Sequence, residues 1–208
     1  VKRSFDVAAS TVSVVVLLPV FLVISLAVLL AEGRPVIYRQ VRVGRGGRPF
    51  TMFKFRSMVT DAHDQLADVQ ALNQRNGPLF KTHQDPRITR VGRFLRITSL
   101  DELPQLFNVL CGSMSLVGPR PALYEEREHF PPALLERELI RPGLTGLWQV
   151  EARLDPDFDR YHQLDLQYVR SYTFLGDLGL LARTPVVVVR DVFGQRRGDD
   201  KDAGCPET

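Results

Sequence analysis

A chain of 208 residues, 44% hydrophobic and 25% charged, has the length and composition of one folded domain rather than a disordered protein. Cys111 and Cys205 lie far apart, and the four histidines (His63, His83, His129, His162) form no paired motif; this excludes a disulfide framework and a histidine-built zinc site, and fits a reducing cytosolic setting. The net charge of +3 conceals a basic block, for Arg34 to Arg96 holds 13 Lys/Arg against 4 Asp, a local +9 that points to an anionic partner: phosphate, nucleic acid or an anionic membrane face.

Because Val1 is not an initiator methionine, the sequence is expected to be a piece of a longer chain. The first element is apolar. Between Asp6 and Glu32, the 25 residues Val7 to Ala31 carry no charge, and sixteen of them are Val, Leu, Ile or Phe. At roughly 0.4 kcal/mol each they favour a bilayer by about 6 kcal/mol. A cleavable signal peptide does not fit, because the run is too long and no small residue precedes Ala31 at the required offset. Pro19 divides the run, removing the hydrogen bond to the Val15 carbonyl and favouring a kink. Each arm then reaches about 18 Å, partway through a ~30 Å core. Lys2 and Arg3 before the run, and Arg34, Arg39, Arg42 and Arg45 after it, place both ends on the cytosolic side by the positive-inside tendency. On these features a single span and a re-entrant helix-break-helix both stay open.

Pro35 to Val43 alternates apolar and polar residues like a strand, Gly44 to Pro49 is a turn, and Phe50 to Arg56 is the returning strand. Helical spacing predicts a helix from Asp61 to Gly77, stopped by Gly77-Pro78, and another from Leu103 to Leu110. Val117-Gly-Pro-Arg-Pro121 and Arg141-Pro-Gly-Leu-Thr-Gly146 read as rigid turns, and Pro156 to Tyr172 as a helix. Thr173 to Phe193 is apolar but interrupted by Asp177, Arg183, Arg190 and Asp191, which suits a helix packed on the core or lying along an interface. A polar, disordered tail is expected from Gln195.

Thr98-Ser-Leu-Asp-Glu-Leu-Pro-Gln-Leu106 places two carboxylates side by side behind Arg87, Arg90, Arg93 and Arg96. Ser99 and Glu102 have the spacing of a capping box, a purely structural role. Pro104 argues for another register. With Asp101 as N-cap, the proline falls at the third helical position, where its missing N–H costs nothing. Both carboxylates then stand at the mouth of a helix. Two carboxylates a few ångströms apart repel by about 4 kcal/mol at an effective dielectric of 20. A divalent cation relieves this, and oxygen ligands suit Mg²⁺. Magnesium with surrounding Lys/Arg is the equipment of phosphoryl transfer, and a carboxylate can also serve as a covalent nucleophile.

In order along the chain stand Lys54-Phe-Arg-Ser-Met58, Asp85-Pro-Arg-Ile-Thr-Arg-Val-Gly-Arg-Phe-Leu-Arg96, the segment from Thr98 to Leu106, Met114-Ser-Leu-Val-Gly-Pro-Arg-Pro121 and Arg141-Pro-Gly-Leu-Thr-Gly-Leu-Trp-Gln149. Together they resemble the bacterial sugar transferases, the monotopic phosphoglycosyl transferases that prime polysaccharide and glycoconjugate synthesis, over Lys2 to about Gly194. The resemblance implies a mostly helical α+β fold. A re-entrant membrane helix-break-helix (1–33, broken at Pro19) joins a cytosolic catalytic domain (34–194) with a short β-hairpin and interfacial helices, followed by the polar tail (195–208). It implies transfer of a sugar 1-phosphate from a UDP-sugar to undecaprenyl (polyprenyl) phosphate with release of UMP, at the cytosolic face of the bacterial inner membrane. Asp101 would be the nucleophile of a phosphosugar-aspartyl intermediate, and Glu102 would complete the dyad and, with Asp101, hold Mg²⁺. Arg120, Arg96, Lys54, Arg56 and Arg141 would bind phosphate. Arg141, Asp165 and Asp177 also fall on familiar positions, where a structural role is equally open, and Trp148 suits packing. A homo-oligomer is compatible with the family.

Two departures stand out. Leu18-Pro19 replaces a Ser-Pro found at the break in some members, so freed backbone groups must find Ser13, Ser25 or another contact. Ala31-Glu-Gly-Arg-Pro35 replaces the commoner Ser-Pro-Gly-Pro. The alternative class is a membrane-anchored, non-catalytic protein that binds anionic lipid or nucleic acid through the basic block. Arginines without interleaved aromatics argue against nucleic acid.

Overall fold

The apolar segment folds as two helices. In the computed structural model, which describes residues 1–62, 64–65, 85–152 and 157–202, α1 runs Lys2–Val16 and α2 Leu18–Glu32, with a bend of 61° between them. Among the described residues no single helix is long and apolar enough to cross a membrane, but this bent pair passes the same test together. The break falls at Leu17, so Pro19 lies in the first turn of α2, where a missing N–H leaves no bond unmade. Backbone bonds bridge the break, Leu17 N–H donating to the Ser13 carbonyl (2.9 Å) and Phe21 N–H to the Leu17 carbonyl (2.9 Å).

One side of the pair is exposed apolar surface: Val12, Val15, Val16, Leu18, Leu22, Val23, Leu26, Leu29 and Leu30. The other side packs inward. Phe21, Ile24 and Val28 of α2 meet Phe55, Leu95, Leu100 and Leu103, whereas Phe5, Ala9 and Val14 of α1 lie on the larger core of Met52, Leu106, Val109, Met114, Leu116, Val117, Val150, Tyr168 and Leu180.

The expected hairpin is β1 (Ile37–Val43) antiparallel to β2 (Pro49–Phe55), with Tyr38 opposite Lys54 and Gln40 opposite Met52. Then come α3 (Arg90–Thr98), a 3₁₀ turn (Leu100–Glu102) and α4 (Gln105–Cys111). The helix expected over Asp61 to Gly77 lies almost entirely outside the described residues.

Of the two segments read as rigid turns, the first begins at the last residue of a strand, and the second contains a strand of its own. β3 (Ser115–Val117) and β4 (Gly143–Thr145) pair in parallel. Two glycines make the approach possible, since a Cβ on Gly143 would stand 2.1 Å from Gly118 N. Beyond β3 lie α5 (Tyr124–Glu128) and a 3₁₀ segment (Pro132–Leu139), and beyond β4 lie α6 (Leu147–Glu151), α7 (Phe158–Ser171) and α8 (Phe174–Asp202). α8 packs Leu180 and Leu181 on the core and turns Leu175, Val186, Val189 and Phe193 outward. It runs on past Gln195, so the first part of the expected disordered tail has helical backbone.

Both ends of the apolar pair are tied to the same globular body. At the start, Lys2 Nζ donates to the Val117 carbonyl (3.1 Å) and pairs with Asp177, whose other oxygen accepts from Tyr168 Oη (2.7 Å). Asp6, buried, accepts from Ser115 Oγ (2.7 Å). At the end, Arg56 Nη2 donates to the carbonyls of Glu32 (2.5 Å) and Gly33 (2.9 Å), while Thr89 Oγ1 bonds the Glu32 carboxylate.

Candidate active site

The dyad stands in neither of the registers that the sequence allows. Ser99 caps α3 in the left-handed conformation (φ 58, ψ 15), which reverses the chain, and Leu100–Glu102 form the 3₁₀ turn. Pro104 (φ −61, ψ −17) is the N-cap of α4 and lies outside the helix. Asp101 is therefore the middle of a tight turn rather than an N-cap, and Ser99 makes no side-chain cap. The turn is held by Glu102 N–H to the Ser99 carbonyl (3.2 Å) and Leu103 N–H to the Leu100 carbonyl (3.3 Å). Asp101 is buried, while the Glu102 side chain remains about one-third exposed at 32%.

β2 brings the cation. Strand alternation puts Met52 and Lys54 on one face; Met52 enters the core and Lys54 reaches the turn. Lys54 Nζ lies 2.7 Å from Glu102 Oε1 and 4.0 Å from Asp101 Oδ2. Arg96, in the last turn of α3, donates from Nε to Ser57 Oγ (2.9 Å). Burial lowers its guanidinium below the usual arginine value, opposed by the fields of Asp101, Asp85 and Glu102, and the group remains a cation at neutral pH. Its terminal nitrogens carry no hydrogen bond among the described residues.

Four further residues set this geometry. Thr89 caps α3, its Oγ1 accepting from Gly92 N–H (2.9 Å). Gly92 lies flat on the Ser57 backbone, where a Cβ would stand 2.0 Å from the Ser57 carbonyl oxygen. Asn108 of α4 behaves like a neighbouring strand toward β2: its Oδ1 accepts from Phe53 N–H (3.0 Å) and its Nδ2 donates to the Thr51 carbonyl (2.7 Å). One signal for Asn108 was present in the sequence, a lone amide between Leu106 and Val109 on the apolar face. Asp85, salt-bridged to Arg87 through both its oxygens (2.9 and 2.7 Å), closes the loop into α3.

The contacts around the dyad involve Lys54 and Arg96, and the other expected phosphate ligands, Arg56, Arg120 and Arg141, each have further partners of their own. Arg56 is committed to the end of α2. Arg141 Nε donates to the Gly112 carbonyl (2.8 Å), at the far end of α4. Arg120 joins a second charged cluster. Its guanidinium lies 3.9 Å from Glu126 and 5.4 Å from the Trp148 ring, over which it stacks. Beneath it Arg137, buried between Phe130 and Tyr161, pairs with Asp165 (2.6 Å) and donates to the Arg120 carbonyl. Burial pushes the Asp165 carboxyl up to about 6, against the pull of Arg137, and Tyr161 up to about 12. Asp165 and Asp177 hold the fold together, and Trp148 packs edge-on against Tyr161.

Among the described residues no group of three or more His, Cys, Asp or Glu is assembled as a metal cage. Two adjacent carboxylates in reach of one ammonium nevertheless fit Mg²⁺, which takes one or two protein oxygens and completes its shell with substrate phosphate and water. Asp101 and Glu102 would be those two ligands.

The family model for bacterial sugar transferases matches residues 1–191. The chain is 43% identical over 197 residues to the undecaprenyl-phosphate galactose phosphotransferase of Salmonella typhimurium, covering 91% of this chain and 40% of that protein. It is 39% identical over 187 residues to the exopolysaccharide production protein ExoY of Rhizobium meliloti, covering 88% and 83%. With the undecaprenyl-phosphate glucose phosphotransferase of Komagataeibacter xylinus it shares 37% over 209 residues, covering 93% and 36%. The chain spans about two fifths of the length of the first of these relatives. On the family match and the ExoY likeness together, the chain belongs to the bacterial sugar transferase family.

Proposed function

We propose that the chain transfers a sugar 1-phosphate from a UDP-sugar to undecaprenyl phosphate at the cytosolic face of the bacterial inner membrane. The observation that carries this reading is the buried Asp101 beside Glu102, with Lys54 and the anchored Arg96 around it. In the first step an Asp101 carboxylate oxygen attacks the phosphorus that bears the sugar. The bond from that phosphorus to the bridging oxygen breaks, and UMP leaves with the electron pair. In the second, a phosphate oxygen of undecaprenyl phosphate attacks the same phosphorus and the Asp101–phosphorus bond breaks, which restores the carboxylate. Neither step requires a proton donor. Lys54 and Arg96 stabilise charge on the phosphoryl oxygens, and Lys54 keeps the dyad from repelling itself apart. Mg²⁺, held by Asp101 and Glu102, would supply further neutralisation of phosphate charge.

Membrane seating has its own support. The exposed apolar sides of α1 and α2 suit lipid, and the ties at Lys2, Asp6 and Glu32 bind both ends of the pair to one body. That arrangement favours a re-entrant hairpin over a span. Two of the relatives are named undecaprenyl-phosphate galactose and glucose phosphotransferases, and a panel of UDP-sugars would identify the sugar here.

Protein mixed with UDP-sugar alone is expected to carry a phosphosugar mass on Asp101 and to release at most one UMP per chain. Steady UMP release should appear only with undecaprenyl phosphate. Absence of the adduct, together with activity retained in Asp101→Asn, would remove the covalent mechanism.

A further inference from the structure

Arg141 is the expected phosphate ligand whose place is hardest to reconcile with that role. α4 is seven residues long, about 10 Å of rise, and Arg141 holds the end remote from the dyad. A second arginine meets it there. Arg3 of α1 donates from Nη1 to the Val109 carbonyl (2.6 Å) and from Nη2 to the Leu110 carbonyl (2.9 Å). With Arg141 on Gly112, two guanidinium groups from distant parts of the chain hold carbonyls at and just past the C-terminal end of α4. These are the groups that lack partners within a helix, at the end where positive charge is favoured.

A helix this short has no stability of its own. Its position comes from its ties: Asn108 on the β2 edge, Leu106 and Val109 in the core, and the two arginines at the C-terminus. The N-terminal end of the same helix follows Asp101 and Glu102 after only Leu103 and Pro104. Arg141 itself is carried on rigid backbone, since the Pro142 carbonyl accepts from Ser115 N–H (2.9 Å) and Gly143 N–H donates to the Pro119 carbonyl (2.8 Å).

We infer that Arg141 and Arg3 are positioning residues that fix the Asp101–Glu102 dyad through α4. Arg3 makes the seating of the membrane hairpin part of the dyad's geometry. The inference rests on the sugar-phosphate transfer reading for its catalytic consequence, but the clamp itself can be read without turnover.

Cys111, exposed at the last position of α4, supplies the probe. In full-length protein carrying Cys205→Ser, the rate of Cys111 modification by a small maleimide is measured in Arg141→Ala, Arg141→Lys, Arg3→Ala and Arg3→Lys. Loss of a charged hydrogen bond corresponds to about a tenfold change. The alanine variants should label about tenfold faster and turn over about tenfold more slowly, with the KM for UDP-sugar unchanged. The lysine variants, which keep a cationic donor, should recover most of both. A phosphate ligand behaves differently: Arg141→Ala would raise the KM for UDP-sugar about tenfold and leave Cys111 labelling as it was. That result, or wild-type labelling and turnover in both alanine variants, overturns the inference. If Arg141→Ala does not fold, Arg141→Lys decides by the same split between kcat and KM. Faster labelling in a protein that shows no transfer at all would uphold the clamp and sink the proposed reaction.

Discussion

Lys54 Nζ lies 2.7 Å from Glu102 Oε1 and 4.0 Å from Asp101 Oδ2, so one ammonium serves two adjacent carboxylates. Removing it takes that ammonium from both carboxylates and, on the proposed reaction, a cation from the phosphoryl oxygens. Lys54→Met is expected to lower kcat/KM by about 10- to 100-fold, the equivalent of one charge-assisted hydrogen bond and its field. Lys54→Arg keeps the charge and should retain more activity. Steady-state UMP release at several UDP-sugar concentrations measures this. Activity in Lys54→Met within twofold of the parent would show that the pair is only structural.

Gly92 is required by contact rather than by conformation. A Cβ there would meet the Ser57 carbonyl oxygen at 2.0 Å, and backbone cannot move aside as a side chain can. Gly92→Ala must lift α3 off Ser57, whose hydroxyl anchors Arg96 at 2.9 Å. A loss of about 2 kcal/mol in stability is expected, within the range for overpacked sites, together with a raised KM for UDP-sugar. Ser57→Ala removes only the anchor and should raise the KM with little loss of stability. Thermal melting beside kinetics separates the two. An unchanged melting temperature in Gly92→Ala would mean that α3 does not pack as described.

Much of this arrangement was legible in the sequence because it is local. The alternation Tyr38, Gln40 and Arg42 against Phe50, Met52 and Lys54 gives the hairpin, and Pro19 marks the break to within two residues of Leu17. Lys54, Arg96, Asp101 and Glu102 do come together. What was not legible depends on contacts between distant residues. β3 and β4 are three residues each and exist because Gly118 and Gly143 touch across the chain. Ser99 adopts a left-handed conformation that serine rarely takes, and it sets the dyad's turn. An arginine that caps a carbonyl, as Arg56 and Arg141 do, is the same letter as one that waits for phosphate.

The Arg137–Asp165 pair offers a test that does not involve chemistry. Both side chains are buried, and Asp165 has no water to solvate it if its partner goes. Arg137→Met or Asp165→Leu alone should destabilise the protein by about 3–5 kcal/mol, since each strands a buried charge. The double substitution is expected to cost less than either sum or single loss, because both charges leave together. Chemical denaturation of the four proteins in one detergent measures the cycle. Additive losses would show that the two groups do not depend on each other.

The ends of the apolar pair decide its topology, and magnitudes indicate which force prevails. Straightening α1 and α2 into one helix would gain a continuous backbone ladder but place Pro19 in its interior, at about 3 kcal/mol. It would also break the ties of Lys2, Arg3 and Asp6 to the globular body. At roughly 1.5–3 kcal/mol for each charged hydrogen bond, these exceed the proline term. Pro19→Leu alone should therefore leave the bend between α1 and α2 in place. With Cys111→Ser and Cys205→Ser as background, Val1→Cys (95% exposed) and Arg34→Cys should both react from the same side of sealed vesicles, with or without Pro19→Leu. Adding Lys2→Ala and Arg3→Ala to Pro19→Leu removes the proline and two of the ties, and should let Val1→Cys become reactive from the opposite side in part of the population. If Val1→Cys reacts from the opposite side while Lys2, Arg3 and Pro19 are all intact, the segment spans the membrane and the ties do not govern its topology.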